Sequence, residues 1–213
     1  MAHQIPIQIS VEDLLTEAVV LSMLRQVGRF ARGDIYTENG RSHVERKIRA
    51  YNHAAKAMPW LVVADLDRDA CAPALIHQWL GETPRHPNLL LRLAVREIDA
   101  WILADRAAVA DLLSIPLSKV PHMPDELQEP KECLIGLARG SRSRHVREGI
   151  VPAAGSTARQ GPGYNSLLGQ FVRNRWQLRR ARRHSQSLDR AAKALEAFEA
   201  TWAGRMQAKP HNC

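Results

Sequence analysis

The stretch that decides the fold runs from Trp60 to Asp69 and reads Trp60-Leu-Val-Val-Ala-Asp-Leu-Asp-Arg-Asp69. Its first five residues are apolar with no polar alternation, which indicates a strand buried on both faces. Parallel strands of α/β proteins carry functional groups at their carboxyl ends. The sequence therefore predicts that Asp65, Asp67 and Asp69 lie at the edge of a sheet.

Carboxylates at such close spacing repel one another, and a hard divalent cation with oxygen ligands is the usual compensation. A simpler alternative is a polar loop between strand and helix. In that case Asp67 or Asp69 caps the helix that the pattern predicts to begin near Cys71. The Asp-x-Asp pair alone does not decide between these two interpretations.

A second acidic strand end lies near the start of the chain. Ile5–Val11 alternates apolar and polar residues, as a strand does, and Glu12 follows directly. Apolar residues then recur at helical spacing until Gly28. Glu12 is therefore predicted to lie at the same kind of sheet edge as Asp65, with the alternative that it is an acidic group favoured by the helix N-terminus.

A third acidic strand end follows the apolar residues 86–95, where Glu97 and Asp99 lie two positions apart. Strands and helices alternate through this half, with a weaker strand at 30–36, and this order predicts a mostly parallel sheet with right-handed crossovers. The carboxyl ends of parallel strands share one edge, so Glu12, Asp65, Asp67, Glu97 and Asp99 are expected to meet there. A shared metal site is the simplest account.

Composition limits the class of protein and its partners. The 213 residues, 45% of them hydrophobic, suit an α/β core at 1–113 with a mostly helical, basic extension at 114–213 packed on it. No apolar run is long enough to span a membrane and no signal segment opens the chain, so a cytoplasmic protein is expected. The three cysteines, Cys71, Cys133 and Cys213, fit reduced thiols.

The charge balance favours polyanionic partners. Lys and Arg number 30 against 22 Asp and Glu, a net charge of +8, which favours nucleic acid or a negatively charged protein. Arg92, Arg96 and the Arg-rich stretches 139–147 and 173–183 are candidates to contact phosphates. Trp176 or Tyr164 is available for base stacking. The alternative is a solvated helix face with the aromatic side chains in the core.

These motifs resemble the Toprim fold of topoisomerases, bacterial primases, small ribonucleases and overcoming-lysogenization-defect (OLD) nucleases. Over nearly the whole chain, the sequence is similar to a bacterial Toprim-like family, catalogued as domain of unknown function number 4276 and akin to RloB-type proteins. The segments that carry this similarity are Val11-Glu-Asp-Leu-Leu-Thr-Glu17, Asp65-Leu-Asp67, Leu91-Arg-Leu-Ala-Val-Arg-Glu-Ile-Asp-Ala-Trp101, Pro130-Lys131 and Gly161-Pro-Gly-Tyr-Asn165.

The resemblance implies Glu12 as general base or metal ligand, and Asp65 and Asp67 as ligands of Mg²⁺ or Mn²⁺. As in OLD-type nucleases, it implies a second metal held by further acids, which here are Glu17, Glu97 and Asp99. Lys131 is the candidate for stabilising the transition state. The resemblance also implies an ABC-type ATPase encoded nearby, in a phage-defence or mobile-element locus.

Two functions follow from these observations. The first is a metal-dependent nuclease that hydrolyses phosphodiester bonds of DNA or RNA. The second is a non-catalytic adaptor that binds nucleic acid or an ATPase. A haloacid-dehalogenase-type phosphatase is disfavoured because Arg68-Asp69 follows the Asp-x-Asp pair. A glycosyltransferase is disfavoured because it leaves Glu12 unexplained.

Overall fold

The computed structural model describes residues 4–28, 30–38 and 40–207, with side chains described up to residue 198. Within this part the fold is α/β, with a four-stranded parallel sheet flanked by helices, and this confirms the predicted class. The strands are β1 (Ile5–Val11), β2 (Phe30–Thr37), β3 (Trp60–Asp65) and β4 (Leu89–Ala94). The helices are α1 (Leu14–Val27), α2 (Arg41–Ala54), α3 (Ala72–Leu80), α4 (Ile98–Leu103), α5 (Arg106–Leu113), α6 (Pro130–Arg139), α7 (Arg144–Ile150), α8 (Tyr164–Asn174), α9 (Leu178–Ala181) and α10 (Gln186–Gln207).

The strands lie in the order β2-β1-β3-β4, with every neighbouring pair parallel. The predicted central strand is confirmed: β3 runs from Trp60 to Asp65 and pairs on both sides, with β1 and with β4. Its apolar residues are all buried. A strand enclosed on both faces and both edges needs apolar side chains throughout, which explains the absence of alternation in its sequence.

Helices cover both faces of the sheet. Val62 and Leu91 point to the face on which α2 and α3 pack, through side chains such as Ile48 and Trp79. Leu61 and Val63 point to the opposite face and belong to a larger core with α1 and the later helices. The side chains of successive strand residues alternate between faces, so one uninterrupted apolar run supplies both cores.

The C-terminal half completes the larger core. Helix α8 packs on α1, α10 on β4 and α6 on α4. Trp101 and Trp176 are buried, and Trp176 Nε1 donates to the Trp101 carbonyl at 3.1 Å. Tyr164 and Phe198 are buried as well, so the predicted core position is confirmed for Trp176 and Phe198, and base stacking by Trp176 or Tyr164 is wrong. The side chain of Trp202, predicted to lie in the same core, is outside the described residues.

In the described part of the chain, no helix has both the length and the apolar character required to cross a membrane. Cys71 is exposed and Cys133 is half-buried, both as free thiols, while Cys213 lies outside the described residues. Side chains on both sides of the predicted boundary at residue 113, for example Val109 and Leu134, share one core.

Candidate functional site

The acidic residues lie where the sheet changes direction. From β1 the chain moves to β2 on one side, and then returns across β1 to β3 on the other. In open α/β sheets, ligands bind at the carboxyl ends of the strands at this switch point. Glu12 directly follows β1, and Asp65 is the last residue of the neighbouring β3.

Glu12 and Asp65 are held by a chain of hydrogen bonds to backbone. Glu12 Oε1 accepts the backbone N–H of Asp65 at 2.8 Å, and Asp65 Oδ1 accepts the backbone N–H of Ile98 at 2.8 Å. These contacts connect the end of β1, the end of β3 and the start of α4. Each carboxylate therefore has one oxygen fixed by the fold and a second oxygen without a hydrogen bond inside the described part of the protein.

Glu97, Asp99 and Lys131 extend the cluster. Glu97 Oε2 accepts the backbone N–H of Lys131 at 2.9 Å, which brings the first turn of α6 to the sheet edge. The Tyr164 hydroxyl donates to Asp99 Oδ1, while Lys131 Nζ lies 4.0 Å from Asp99 Oδ2. Lys131 Nζ is also 5.7 Å from the centre of the Tyr164 ring, within the range of a cation–π contact.

Burial and mutual repulsion raise the pKa values of the cluster's acids. Burial is the largest effect on Glu12 and raises its pKa to about 7. The hydrogen bond from the Asp65 N–H acts to lower this pKa, and the charges of Asp67 and Asp13 raise it further. Burial and the charges of Glu12 and Asp99 raise the pKa of Asp65 well above its usual range. These carboxylates are close enough to oppose one another's ionisation.

Asp99 and Lys131 form the best-compensated pair of the cluster. Burial raises the pKa of Asp99 to about 6, although Lys131 and the Tyr164 hydroxyl both act to lower it. Burial opposes the charge of Lys131, but Asp99 and Glu97 outweigh it and raise the lysine pKa. Lys131 is therefore a protonated ammonium group beside an acidic cluster.

Asp67 and Asp69 are held by arginines rather than by a helix. Arg41 Nη1 lies 3.1 Å from Asp67 Oδ2, and Arg41 Nη2 bonds Asp69 Oδ2. Arg96 Nη1 donates to the carbonyls of Asp67 and Asp69 at 3.0 Å each. The alternative that either aspartate caps α3 is wrong, because Cys71 holds the N-cap position without any side-chain cap.

Asp67 has a strained backbone. Its φ of 50° lies in the left-handed region, which residues other than glycine adopt at a cost of about 1–3 kcal/mol when the surroundings enforce it. The backbone N–H of Asp67 donates to the Arg96 carbonyl at 2.7 Å, and its side chain is bound by Arg41. The loop after β3 is thus fixed from both sides, which is common at functional sites.

Helix capping at α1 belongs to Asp13, not to Glu12. Asp13 Oδ1 accepts the Thr16 N–H at 2.8 Å, so the helix N-terminus is already satisfied. Glu17, in the first turn of α1, accepts a hydrogen bond from Thr37 Oγ1 at 2.7 Å, at the β2 end of the edge. The structure therefore brings Glu12, Asp65, Glu97, Asp99 and Lys131 together, and places Glu17 apart from them.

A cleft of about 880 Å³ opens beside the acidic cluster. Its wall is mostly charged, and the half-buried Arg96 and exposed Arg68 and Arg159 face it together with Lys131. The lining comprises Arg41, Asp67, Arg68, Asp69, Arg96, Glu97, Gln128, Glu129, Lys131, Glu132, Arg159 and Gln160. The lining carries five cations and five carboxylates, and its arginines are groups that bind the phosphates of a ligand.

Close contact between two glycine-rich segments fixes one side of this cleft. Gly161 N donates to the Ile150 carbonyl and Gly163 N donates to the Gly149 carbonyl, both at 2.9 Å. A Cβ at Gly161 would lie 2.4 Å from the Gly149 oxygen, so only glycine fits. The Gly161-Pro-Gly-Tyr164 segment therefore holds Tyr164 in position to bond Asp99.

The Arg-rich stretches contribute less to an open phosphate surface than their composition suggests. Arg180 pairs with Asp105 at 2.7 Å, and Arg182 binds both Asp189 and Glu196. Arg175 bonds Asp111. Three of the six arginines of the stretch 173–183 are therefore paired with acids, while Arg139, Arg142 and Arg144 are exposed.

Sequence reasoning missed Arg41 and the tyrosine contact to Asp99. Arg41 is the first residue of α2, and no local pattern connects it to Asp67 and Asp69, which lie more than twenty positions later. Tyr164 carried a signal, since it lies in the Gly161-Pro-Gly-Tyr-Asn165 motif, but the motif does not reveal its partner. Asp13 could have been identified as the N-cap from its position before an apolar helix.

The metal that the Toprim resemblance implies can be tested against these donors. Their chemistry fits a hard divalent cation, because they are carboxylates, each with one oxygen fixed and one left over, and their repulsion would be relieved by positive charge. Within the described residues, however, no three His, Cys, Asp or Glu side chains stand in an arrangement that could hold a metal ion. Binding therefore requires movement of these side chains.

Comparison with known proteins adds no assignment. No family model matches the chain, and neither a curated protein nor a solved structure is significantly similar to it.

Proposed function

We propose that this protein is a metal-dependent nuclease of Toprim type that hydrolyses phosphodiester bonds of DNA or RNA. One observation carries the proposal. The ends of three consecutive strands of the sheet's β1-β3-β4 portion bring Glu12, Asp65, Glu97 and Asp99 together beside a cleft lined with arginines. Capping accounts for only part of this convergence. Asp65 and Glu97 each accept an N–H from the first turn of a helix, α4 and α6, with one oxygen, while Glu12 binds the end of β3 and Asp99 is bonded by Tyr164.

Each group of the site has a part in this chemistry. Arg68, Arg96 and Arg159 bind backbone phosphates along the cleft wall. Glu12 has a pKa of about 7, near neutral pH, which suits a general base that accepts a proton from the attacking water. Lys131 offers positive charge to the developing negative charge of the phosphoryl group.

The metal ligands in this proposal are Asp65, Asp67, Glu97 and Asp99, with Glu12 as ligand or base. A bound Mg²⁺ or Mn²⁺ supplies Lewis-acid stabilisation to the phosphoryl oxygens. Arg41 holds Asp67 and Asp69 in the metal-free protein, so it competes with a cation for Asp67. Glu17 stays a weaker candidate, since its carboxylate bonds Thr37.

The cellular setting belongs to the same proposal. A net charge of +8 supports nucleic acid as the partner. The resemblance to OLD- and RloB-type proteins supports an ABC-type ATPase partner and a role in phage defence or a mobile element. A cytoplasmic location agrees with nucleic acid as substrate and stays a prediction.

The direct test is cleavage of mixed single- and double-stranded DNA and RNA in Mg²⁺ or Mn²⁺. Wild type is compared with Glu12→Gln and Asp65→Asn, which keep the hydrogen bonds to backbone but remove the charge. We expect cleavage to fall at least about 100-fold in both variants. Glu82→Gln changes an exposed acid in the loop between α3 and β4. It is the matched control and should cleave as wild type does.

A non-catalytic adaptor is the second candidate, and two observations favour it. No three acids of the described residues stand ready to hold a metal, and Arg41 neutralises Asp67 and Asp69. An adaptor would bind nucleic acid or an ATPase equally well as wild type and as Glu12→Gln. Wild-type protein that binds but never cuts, even with an ATPase encoded beside it, would support the adaptor.

A further inference from the structure

A second cationic cleft lies at the outer edge of the sheet, away from the acidic cluster. It has a volume of about 430 Å³ and is lined by Arg85, Pro87, Leu89, Leu90, Arg92, Ala194, Ala197 and Phe198. Strand β4, which carries Arg92, is the edge strand on this side. No carboxylate lines the cleft within the described residues, whereas Arg85 and Arg92 both do.

Arg92 is the unusual residue of this cleft. It lies inside β4 and is mostly buried, and its Nε is buried without a hydrogen-bond partner. Its Nη1 donates only to the carbonyl of the adjacent Leu91, at 3.1 Å. Burial, and then the charge of Arg85, lower the pKa of Arg92 to about 10. Two cations thus act on each other, and no carboxylate of the described residues lines the cleft that they share.

Other partly buried arginines of the described residues are bound by carboxylates or by backbone carbonyls. Arg96, Arg106 and Arg147 donate to carbonyls. Arg41 binds Asp67 and Asp69, and Arg182 binds Asp189 and Glu196. A buried charge without a partner is costly, and an unsatisfied buried donor commonly marks the position of an ion or ligand. Arg92 therefore differs from these arginines in having a buried Nε–H with no acceptor among the described residues.

We propose that Arg92 and Arg85 form an anion site that binds a phosphate group. The planar guanidinium of Arg92 lines the cleft, and its N–H groups have the fork geometry that phosphate oxygens match. Arg85 is exposed at the mouth and adds a second charge. The apolar lining, such as Leu90, suits the organic part of a phosphate ester.

This site is separate from the acidic cluster. Arg92 precedes the end of β4 at Ala94 by two residues, or about 7 Å along the strand, and faces the side on which α10 packs. The phosphate has two sources that share this chemistry. It is either a backbone phosphate of a nucleic acid strand or a free phosphate or nucleotide.

The test measures phosphate binding by the full-length protein in EDTA, so that no metal-dependent reaction intervenes. Inorganic phosphate is titrated by calorimetry at constant ionic strength, and a single-stranded oligonucleotide is titrated in a second arm. Arg92→Met should weaken binding of the probe that the site recognises at least about tenfold, because it removes a charged hydrogen bond. Arg85→Gln should weaken it less. Arg46→Met, which replaces an exposed arginine of α2, is the matched control and should bind as wild type.

Stability gives an independent readout of the same site. Without phosphate, Arg92→Met should melt at or above the wild-type temperature, because an apolar side chain replaces an uncompensated cation. Phosphate should raise the melting temperature of wild type and of Glu12→Gln, but not of Arg92→Met. Since Glu12→Gln abolishes the proposed nuclease, retention of phosphate binding there separates the two proposals. Arg92→Lys serves if Arg92→Met does not fold.

Three results would overturn the proposal. The first is equal affinity of wild type and Arg92→Met for both probes. The second is no saturable binding of either probe by wild type. The third is phosphate binding that emerges only in Glu199→Gln, since the chain's own carboxylate would then be the anion. Glu199 follows Phe198 in sequence, and its side chain lies outside the described residues.

Discussion

Carboxylates at the two ends of α4 are compensated in opposite ways. Beyond its C-terminal end, Asp105 is completely buried and accepts hydrogen bonds from Arg180 at 2.7 and 2.8 Å and from the Gln177 N–H at 2.7 Å. At its N-terminal end, Asp65 of β3 accepts the backbone N–H of Ile98, the first residue of α4, and lies near the charge of Glu12. One carboxylate has a full set of donors, while the other has a like charge.

The difference separates acids that hold the fold from acids available for chemistry. A buried carboxylate matched by a bidentate arginine connects α4 and α9, and nothing remains for a ligand. Carboxylates that repel one another cost stability unless a cation binds, and such clusters are typical of functional sites. The comparison predicts that removing charge destabilises one end of α4 and stabilises the other.

The largest effect is expected at the compensated end. Asp105→Ala should destabilise the protein by about 3 kcal/mol, because it leaves Arg180 and the Gln177 N–H without their acceptor. Urea unfolding measures the change. Asp111→Ala removes the exposed partner of Arg175 and should cost less than about 1 kcal/mol. Equal losses in the two variants would contradict the contrast between buried and exposed pairs.

The opposite sign is expected at Glu12. Burial and the charges of Asp67 and Asp13 raise its pKa from 4.5 to about 7, so the folded protein holds a proton that the unfolded chain releases. Stability is therefore lost as pH rises from about 4.5 to 7. Glu12→Gln should be more stable than wild type by about 2 kcal/mol at pH 8, and by less than half of that at pH 5. A destabilised variant at pH 8 would show that the charge is compensated.

The sequence predicted most of the fold for a physical reason. The uninterrupted apolar run of β3 exists because that strand is enclosed on every side, and Glu12 and Asp65 mark two strand ends directly. Parallel strands must share one carboxyl edge, so convergence of the acids followed from the order of elements alone. Trp176 is buried in the core as expected, although it lies between α8 and α9 and not inside a helix.

The partners of the acids could not be predicted from local pattern. Arg41 reaches Asp67 because α2 begins just after the carboxyl end of β2, on the same edge of the sheet. Tyr164 reaches Asp99 across 65 positions. Contacts at such separation depend on tertiary packing, which local spacing does not encode. The charge of the stretch 173–183 suggested a nucleic acid surface, yet Arg175, Arg180 and Arg182 pair with acids of the chain.

A smaller effect is expected from metal. If the Asp65 cluster binds Mg²⁺, the ion should stabilise wild type by about 1.4 kcal/mol at ten times its dissociation constant. Thermal unfolding in Mg²⁺ and in EDTA measures this difference. Asp65→Asn should lose the response, while Asp105→Asn should keep it, because the Asp105 carboxylate is fully occupied by Arg180 and Gln177. If only Asp105→Asn lost the response, the cation would bind beside Asp105 and not beside Asp65.

The smallest effect is expected where the two kinds of compensation meet. Asp99 belongs to the acidic cluster, yet the Tyr164 hydroxyl bonds one of its oxygens and Lys131 lies 4.0 Å from the other. Tyr164→Phe should cost about 1 kcal/mol at pH 8, where Asp99, with a pKa of about 6, is ionised. Urea unfolding of Tyr164→Phe, of Asp99→Asn and of the double variant measures the coupling between the two side chains.

Tyr51→Phe is the matched control for Tyr164→Phe. The Tyr51 hydroxyl bonds Glu38 Oε1 at 2.6 Å, but Lys47 Nζ also binds both oxygens of that carboxylate, at 2.9 and 2.8 Å. These two donors hold the pKa of Glu38 below its usual value, although burial acts to raise that pKa. Loss of one donor should therefore cost Glu38 less than it costs Asp99. An equal or larger loss in Tyr51→Phe would mean that Lys131 already compensates Asp99 as fully as Lys47 compensates Glu38, and Asp99 would then belong with Asp105 among the acids that hold the fold.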